Sequence, residues 1–368
     1  MLLNYNNMLL IIIYLTVIAT AIYGQIPKAD SNLKFATVLF RHGDRASSFT
    51  YKTNPYPDAF PEGPYELTKL GKQHMYVKGQ IFRHLYDGYL SKLYLDNEIY
   101  TKTTNVARTH MTAAMVLTGL YPPTNYQKWS NQETIWQPIP VYGGSPDHGD
   151  AQVKNCPSFL PTFIKGASAS LTGNASLALE PLLSYLSEQC GQPIDIRNLF
   201  SLFDLFTCQL AAGLELPEWT KPNIYEQLKA IMISEDQRKN FNGNTKLQNL
   251  MIGPLLKEIT LKIQQKSSGD EKRKIYMYSG HDFSILFTTA VLGHLIETPK
   301  FGASLHFHVY RFNNTDEDVI KVYYLKSWDD DKGEELSISN CNSPCKVADF
   351  INIANNKFTK TWEEECHT

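Results

Sequence analysis

Two histidines carry the strongest chemical signal in the sequence. His42 stands in Arg41-His42-Gly43-Asp44-Arg45, directly after the apolar run Leu33 to Phe40 (LKFATVLF). His281 stands in Ser279-Gly280-His281-Asp282, directly after Lys274 to Tyr278 (KIYMY). Both runs have strand length and β-branched or aromatic content. Arginines bracket His42, and the planar guanidinium fork matches the oxygens of a phosphate dianion better than an ammonium does. Nearby positive charge disfavours the protonated imidazole, so Arg41 and Arg45 are expected to keep His42 neutral in mildly acidic solution. A neutral imidazole among cationic anchors is the condition for attack on phosphorus and a phosphohistidine intermediate. Gly43 reads as space for a close approach of backbone and ligand.

Asp282 is the candidate proton donor to a leaving alkoxide. A bound dianion is expected to raise its pKa by like charge, so that the carboxyl stays protonated in acid and later, as a carboxylate, activates water. Arg108 falls in the first turn of a helix expected to start near Asn105, where a cation opposes the macrodipole; such a local violation suits a site. The helix FSILFTTAVLG after His281, closed by Gly293, is expected to point backbone donors at an anion. The chemistry calls for no metal or cofactor. Asp147, His148 and Asp150 (SPDHGD) read as a solvated loop rather than a metal site. His306 and His308 alternate on a strand-like run (SLHFHVYRF) and read as a packed or solvated pair. His74 and Arg83 reach toward the surroundings of the site without an assigned role.

Ligands of an open parallel sheet gather beyond the carboxyl ends of its strands, so both histidine loops are expected at one edge. A third strand–loop–helix unit begins with the short run Glu98 to Thr101 (EIYT), and Leu67 to Tyr86 reads as a long amphipathic helix. Strands alternating with helices predict an α/β fold with a mainly parallel sheet covered on both faces. Residues 151–270 are rich in helical patterns and poor in strands. They read as a helical cap inserted into an α/β domain made of 25–150 and 271–368.

The chain has 368 residues, 43% hydrophobic and 20% charged, with a formal net charge of −2. That balance lacks the positive excess needed to hold nucleic acid or an anionic membrane, so any bound anion must be held by local charge. Residues 1–24 read as an export signal, with the apolar run Leu9 to Gly24 and the cleavage pattern Ala19-Thr20-Ala21, although no Lys or Arg precedes them. Cys156, Cys190, Cys208, Cys341, Cys345 and Cys366 form an even set without CxxC spacing, which favours disulfides and leaves their pairing open. Asn174-Ala175-Ser176 and Asn313-Asn314-Thr315 are glycosylation sequons.

At these residues the sequence resembles the histidine acid phosphatase family, in the animal branch of the prostatic, lysosomal and insect venom acid phosphatases. The likeness runs from LKFATVLFRHGDR through LTKLGK, KTTNVARTHMTAA, WQPIPV, KNCPSF and IYMYSGHD to CNSPC and WEEEC. It implies a secreted or lysosomal hydrolase of small phosphate monoesters, with phosphoproteins as a further substrate class. It also implies a three-layer, phosphoglycerate mutase-like α/β domain with a smaller helical domain, and it allows a homodimer. The resemblance makes His42 the nucleophile and Asp282 the proton donor, with Arg41, Arg45, Arg108 and His281 on the phosphate. Its disulfides correspond to Cys156–Cys366 and Cys341–Cys345. Ser304 stands where mammalian relatives have a cysteine, so Cys208 is expected to pair with Cys190 instead. Asn105, Ala107 and Ala46-Ser47 also depart from the mammalian pattern and bear on substrate range. A secreted small-ligand-binding protein on the same fold is the rival reading, and the intact set of catalytic positions speaks against it. An inositol polyphosphate substrate is disfavoured, because phytases usually carry Ala in place of Asp44.

Overall fold

The computed structural model describes residues 25–144, 155–167, 174–221, 223–232, 235–312 and 317–368. The expected export segment 1–24, the loop residues Asp147, His148 and Asp150, and Asn313 lie outside the described residues, as does the side chain of Asn174.

Among the described residues seven strands form one sheet: β1 (Leu33–Arg41), β2 (Ile99–Thr103), β3 (Ile275–Gly280), β4 (Ser304–Arg311), β5 (Asp318–Leu325), β6 (Glu334–Leu336) and β7 (Cys345–Lys346). Their order is β2-β3-β1-β4-β5-β6, with β7 paired to β5. The three strands that carry the chemistry-bearing loops, β2, β3 and β1, run parallel as expected. From β4 onward the pairing is antiparallel, so the sheet as a whole is mixed.

The described helices are α1 (Lys69–Leu85), α2 (Ala107–Leu120), α3 (Phe159–Ala167), α4 (Asn174–Cys190), α5 (Ile196–Ala211), α6 (Ile224–Met232), α7 (Glu235–Gly243), α8 (Thr245–Ser268), α9 (Asp282–Val291), α10 (Val347–Lys357) and α11 (Trp362–His367). Side-chain alternation in β1 explains the layering. Phe35 and Leu39 join one core with Leu255, Ile259 and Ile263 of α8, Ile285 of α9 and Phe350 of α10. Ala36, Val38 and Phe40 face the other way and join Met75 and Phe82 of α1 and Val116, Leu117 and Leu120 of α2. Burial on both faces accounts for the near-continuous apolar reading of β1. Helices α1 and α2 cross closely because each lacks a side chain at the contact: a Cβ on Gly79 would overlap the Val116 carbonyl oxygen, and one on Gly119 the Tyr76 carbonyl oxygen.

The cap expected over 151–270 divides differently. Leu186 and Cys190 of α4, Leu202 and Phe206 of α5 and Leu228 of α6 form a separate core with Tyr51. Helix α8 instead contributes Leu247, Met251, Ile252 and Leu256 to the core of the sheet, joined by Phe241 of α7 and flanked by Phe159 and Phe163 of α3. Helical periodicity identifies an amphipathic helix but not the surface that its apolar face covers.

Disulfides join Cys156 to Cys366 and Cys341 to Cys345. The expected Cys190–Cys208 bond is absent, and both are buried free thiols. Cys190 ends α4 among apolar neighbours, whereas Cys208 lies with its sulfur 3.6 Å from Arg45. Burial pushes both thiols up to about 12.

Candidate active site

Parallel pairing in register sets the site. Arg41 at the end of β1 faces Gly280 at the end of β3, so the next residues, His42 and His281, leave the sheet side by side. The His42 amide donates to the Gly280 carbonyl at 3.0 Å, and the two imidazole centroids lie 5.6 Å apart at 73°. Thr103 of β2 faces Ser279, which brings Thr104 to the same edge. Its hydroxyl lies 3.0 Å from His281 Nε2.

His42 is buried, with Nδ1 2.9 Å from the Gly43 carbonyl oxygen. A carbonyl only accepts, so Nδ1 carries the hydrogen and the lone pair of the neutral ring sits on Nε2. No described residue hydrogen-bonds that Nε2. Burial pushes the His42 pKa well below the ordinary value, and the charges of Arg41, Arg108, His281 and Arg45 lower it further. The expected neutral imidazole is thus produced first by desolvation and second by the arginines. Gly43 serves a different purpose from the one expected: a Cβ there would lie 2.6 Å from Met75 Cγ and 2.9 Å from the Gly71 carbonyl oxygen. The glycine admits the first turn of α1, not the ligand.

Arg41 donates to the Pro299 carbonyl, pairs with Asp282 Oδ2 at 2.9 Å and lies 4.2 Å from the Phe301 ring centroid. Arg45 makes a bidentate pair with Asp204 of α5, at 2.7 and 3.0 Å. The same carboxylate accepts from the Ser47 hydroxyl at 3.1 Å. Arg108 occupies the first turn of α2 as expected, and its NH2 lies 3.3 Å from His281 Nδ1.

Asp282 begins α9. Burial alone would raise its pKa, but the charges of Arg41, Arg45 and His281 outweigh burial and hold the carboxyl below the ordinary aspartate value. The Arg41 salt bridge thus favours the carboxylate, whereas the raised value was expected for the carboxyl beside a phosphate dianion. The helix N-terminus is also less open than expected: the His281 amide donates to Ser284 Oγ, and the Phe283 amide donates to Asp282 Oδ1.

All six expected positions meet in one place. Sequence reasoning missed Thr104, Asp204 and Phe301. Asp204 had a usable signal, a carboxylate flanked by Phe and Leu in the otherwise apolar run LFSLFDLF. Of the two helix residues without a role, His74 bonds Asp44 Oδ2 at 2.8 Å and stacks on Trp328 at 3.8 Å, next to the loop. Arg83 instead donates to the carbonyls of Ser91, Tyr86 and Leu90, away from the site. His306 and His308 form a packed pair on β4, as expected.

Among the described residues no cluster of three or more metal-ligating side chains occurs, and no helix is long and apolar enough to cross a membrane. The family model of the histidine phosphatase superfamily (branch 2) matches residues 32–325. Human lysosomal acid phosphatase is 27% identical over 355 residues, covering 92% of this chain and 81% of that protein. Putative acid phosphatase 5 of Caenorhabditis elegans is 27% identical over 370 residues, with 98% and 85% covered. Bovine prostatic acid phosphatase is 26% identical over 342 residues, with 91% and 87% covered. Among solved structures, Hafnia alvei phytase in complex with tartrate superposes with a TM-score of 0.64 at 17% identity, covering 92% of this chain and 99% of that one. That likeness concerns the fold alone. With the matched segment spanning both histidine loops, the chain belongs to branch 2 of the histidine phosphatase superfamily.

Proposed function

We propose that this protein is an exported acid phosphatase that hydrolyses small phosphate monoesters through a phosphohistidine on His42. Membership of the family and the acid phosphatase relatives make it a phosphoric monoester hydrolase. The observation that carries the mechanism is the buried, neutral His42 ring, with Nδ1 occupied by the Gly43 carbonyl and its Nε2 lone pair left for phosphorus beside His281.

In the first step Nε2 attacks phosphorus, the P–N bond forms and the P–O ester bond breaks. Arg41, Arg45 and Arg108 neutralise the non-bridging oxygens, and as Arg108 turns from His281 Nδ1 to the anion, that nitrogen, once protonated, adds a donor. Asp282 passes its proton to the leaving oxygen. In the second step the Asp282 carboxylate takes a proton from water, the oxygen attacks phosphorus, the P–N bond breaks and the lone pair returns to His42. An arriving dianion competes for Arg41 and adds like charge, so it moves the Asp282 carboxyl upward. An acidic optimum follows, because the first step needs Asp282 protonated and His42 neutral. An optimum above neutrality for both kcat and kcat/KM would contradict these roles.

The N-terminal apolar run and the two disulfides support passage through an oxidising compartment, with secretion or the lysosomal lumen as destination. Small monoesters suffice for every step, and phosphoproteins and a homodimer remain outside the mechanism. Rapid quenching of the full chain with an aryl phosphate at pH 5 tests the proposal. An acid-labile phosphoenzyme is expected in the wild type and none in His42→Ala; equal turnover by both proteins would end it.

A further inference from the structure

Tyr65 holds an uncommon position. Its backbone is left-handed at φ 64°, a conformation that favours glycine, yet the residue is an aromatic that is 52% exposed. Its ring belongs to none of the hydrophobic cores, and no described residue hydrogen-bonds its hydroxyl. Nothing in the packing therefore requires a large side chain there. The ring lies over the guanidinium of Arg45, 5.8 Å from carbon to centroid. Its placement is built in: Arg45 and Leu67 form a β-bridge, and the Ala46 amide donates to the Glu66 carbonyl at 2.9 Å.

Strained residues that persist without a packing reason cluster at functional sites. The other aromatic beside an anchoring arginine, Phe301, is only 6% exposed and offers no face to a ligand. Tyr65 is the exposed one. A phosphate oxygen held by Arg45 and an ester oxygen served by Asp282 belong to one bound group, and the two residues act on each other electrostatically. Among the described residues Tyr65 is thus the exposed ring that lies against an arginine of the site.

We propose that Tyr65 is a specificity-determining residue of the phosphatase site, a stacking platform that favours aromatic phosphate esters over aliphatic ones. The inference rests on the phosphohistidine reading and adds a preference to it. Tyr65→Gly is the natural variant, since glycine adopts the left-handed backbone without strain and the fold is expected to melt no lower than the wild type. The readout is kcat/KM for phenyl phosphate divided by kcat/KM for glycerol 2-phosphate, measured on the full chain. Comparing this ratio between proteins cancels the intrinsic difference in leaving groups. We expect the ratio to fall about two- to tenfold in Tyr65→Gly, the size of an aromatic pair, and to persist in Tyr65→Phe. Inhibition by inorganic phosphate, which has no organic group, is expected to stay similar. An unchanged ratio in an active Tyr65→Gly protein overturns the inference and leaves the phosphatase reading intact. A parallel loss for both esters and for phosphate also overturns it, assigning Tyr65 to the support of Arg45. Full activity in His42→Ala would instead sink the underlying mechanism, and the preference with it.

Discussion

His42 and His281 at the sheet edge and His306 and His308 within β4 are two pairs of buried imidazoles in one molecule. Burial lowers the pKa of His42, His306 and His308 alike. The pairs differ in what meets their ring nitrogens. On β4 the Tyr86 hydroxyl bridges His306 Nδ1 at 2.7 Å and His308 Nε2 at 2.9 Å. Ser304 lies 3.0 Å from His306 Nε2, and the Tyr310 hydroxyl 2.9 Å from His308 Nδ1. Every nitrogen there has a partner, and the chain of hydroxyls and neutral rings is closed. At the sheet edge His42 keeps Nε2 open, with Arg41, Arg45 and Arg108 close enough to act on the ring. Burial and a lowered pKa are therefore common to a structural and a reactive histidine; an unspent lone pair among cations distinguishes the second.

The contrast predicts very different costs for removing the two kinds of ring. His42→Ala is expected to lower kcat/KM by on the order of 10⁴-fold or more, with loss of the phosphoenzyme in quench experiments. Activity within tenfold of wild type would erase the distinction between the pairs. Asp282→Asn comes next, with kcat/KM for an alkyl phosphate lowered by about 10²- to 10⁴-fold. A nitrophenyl ester, whose leaving group needs little protonation, should lose much less; equal losses would remove the proton-donor role.

Asp204→Ala tests the link between α5 and the cationic edge. Loss of the bidentate partner frees Arg45, and KM together with the inhibition constant for phosphate should rise about tenfold while kcat changes less. Smallest in activity is His308→Gln on β4. Turnover should stay within about twofold, while stability falls by about 1–3 kcal/mol because a buried hydrogen-bond chain is broken. A large loss of kcat without loss of stability would make β4 part of the site.

The β4 pair also carries a pH signature. Above pH 6.5 the folded and unfolded chains both hold these rings neutral. As pH falls, the unfolded chain binds protons that the folded protein refuses, since His306 lies well below 6.5 and His308 is lowered to about 3. Stability should therefore decline as pH drops from about 6.5 toward 3, by up to ~1.4 kcal/mol per pH unit for each ring. Melting curves from pH 7 to pH 4 check this, and His308→Gln should flatten the slope.

Much of the site was legible because its parts are local. RHGDR and SGHD each follow an apolar run, and Arg108 violates the helix-dipole rule in the first turn of α2. The parallel arrangement of β1, β2 and β3 follows from strand–helix alternation. Less local features escaped. Thr104 is unremarkable in KTTN until β2 pairs with β3, and Asp204 gains meaning only when α5 packs near Ala46 and Ser47. The thiol pairing inferred from Cys190 and Cys208 failed for the same reason, since Cys208 is committed to the environment of Arg45 and Asp204.

By itself the sequence determined the residue types, their neighbours along the chain and the elements that present them, because propensity, capping and apolar periodicity act over a few residues. Only the tertiary structure decided three things: that Arg41 lies level with Gly280, which face α8 covers, and that Arg41 engages Asp282. Each depends on which distant surfaces bury one another, and on the fields that burial leaves between charges far apart in the chain.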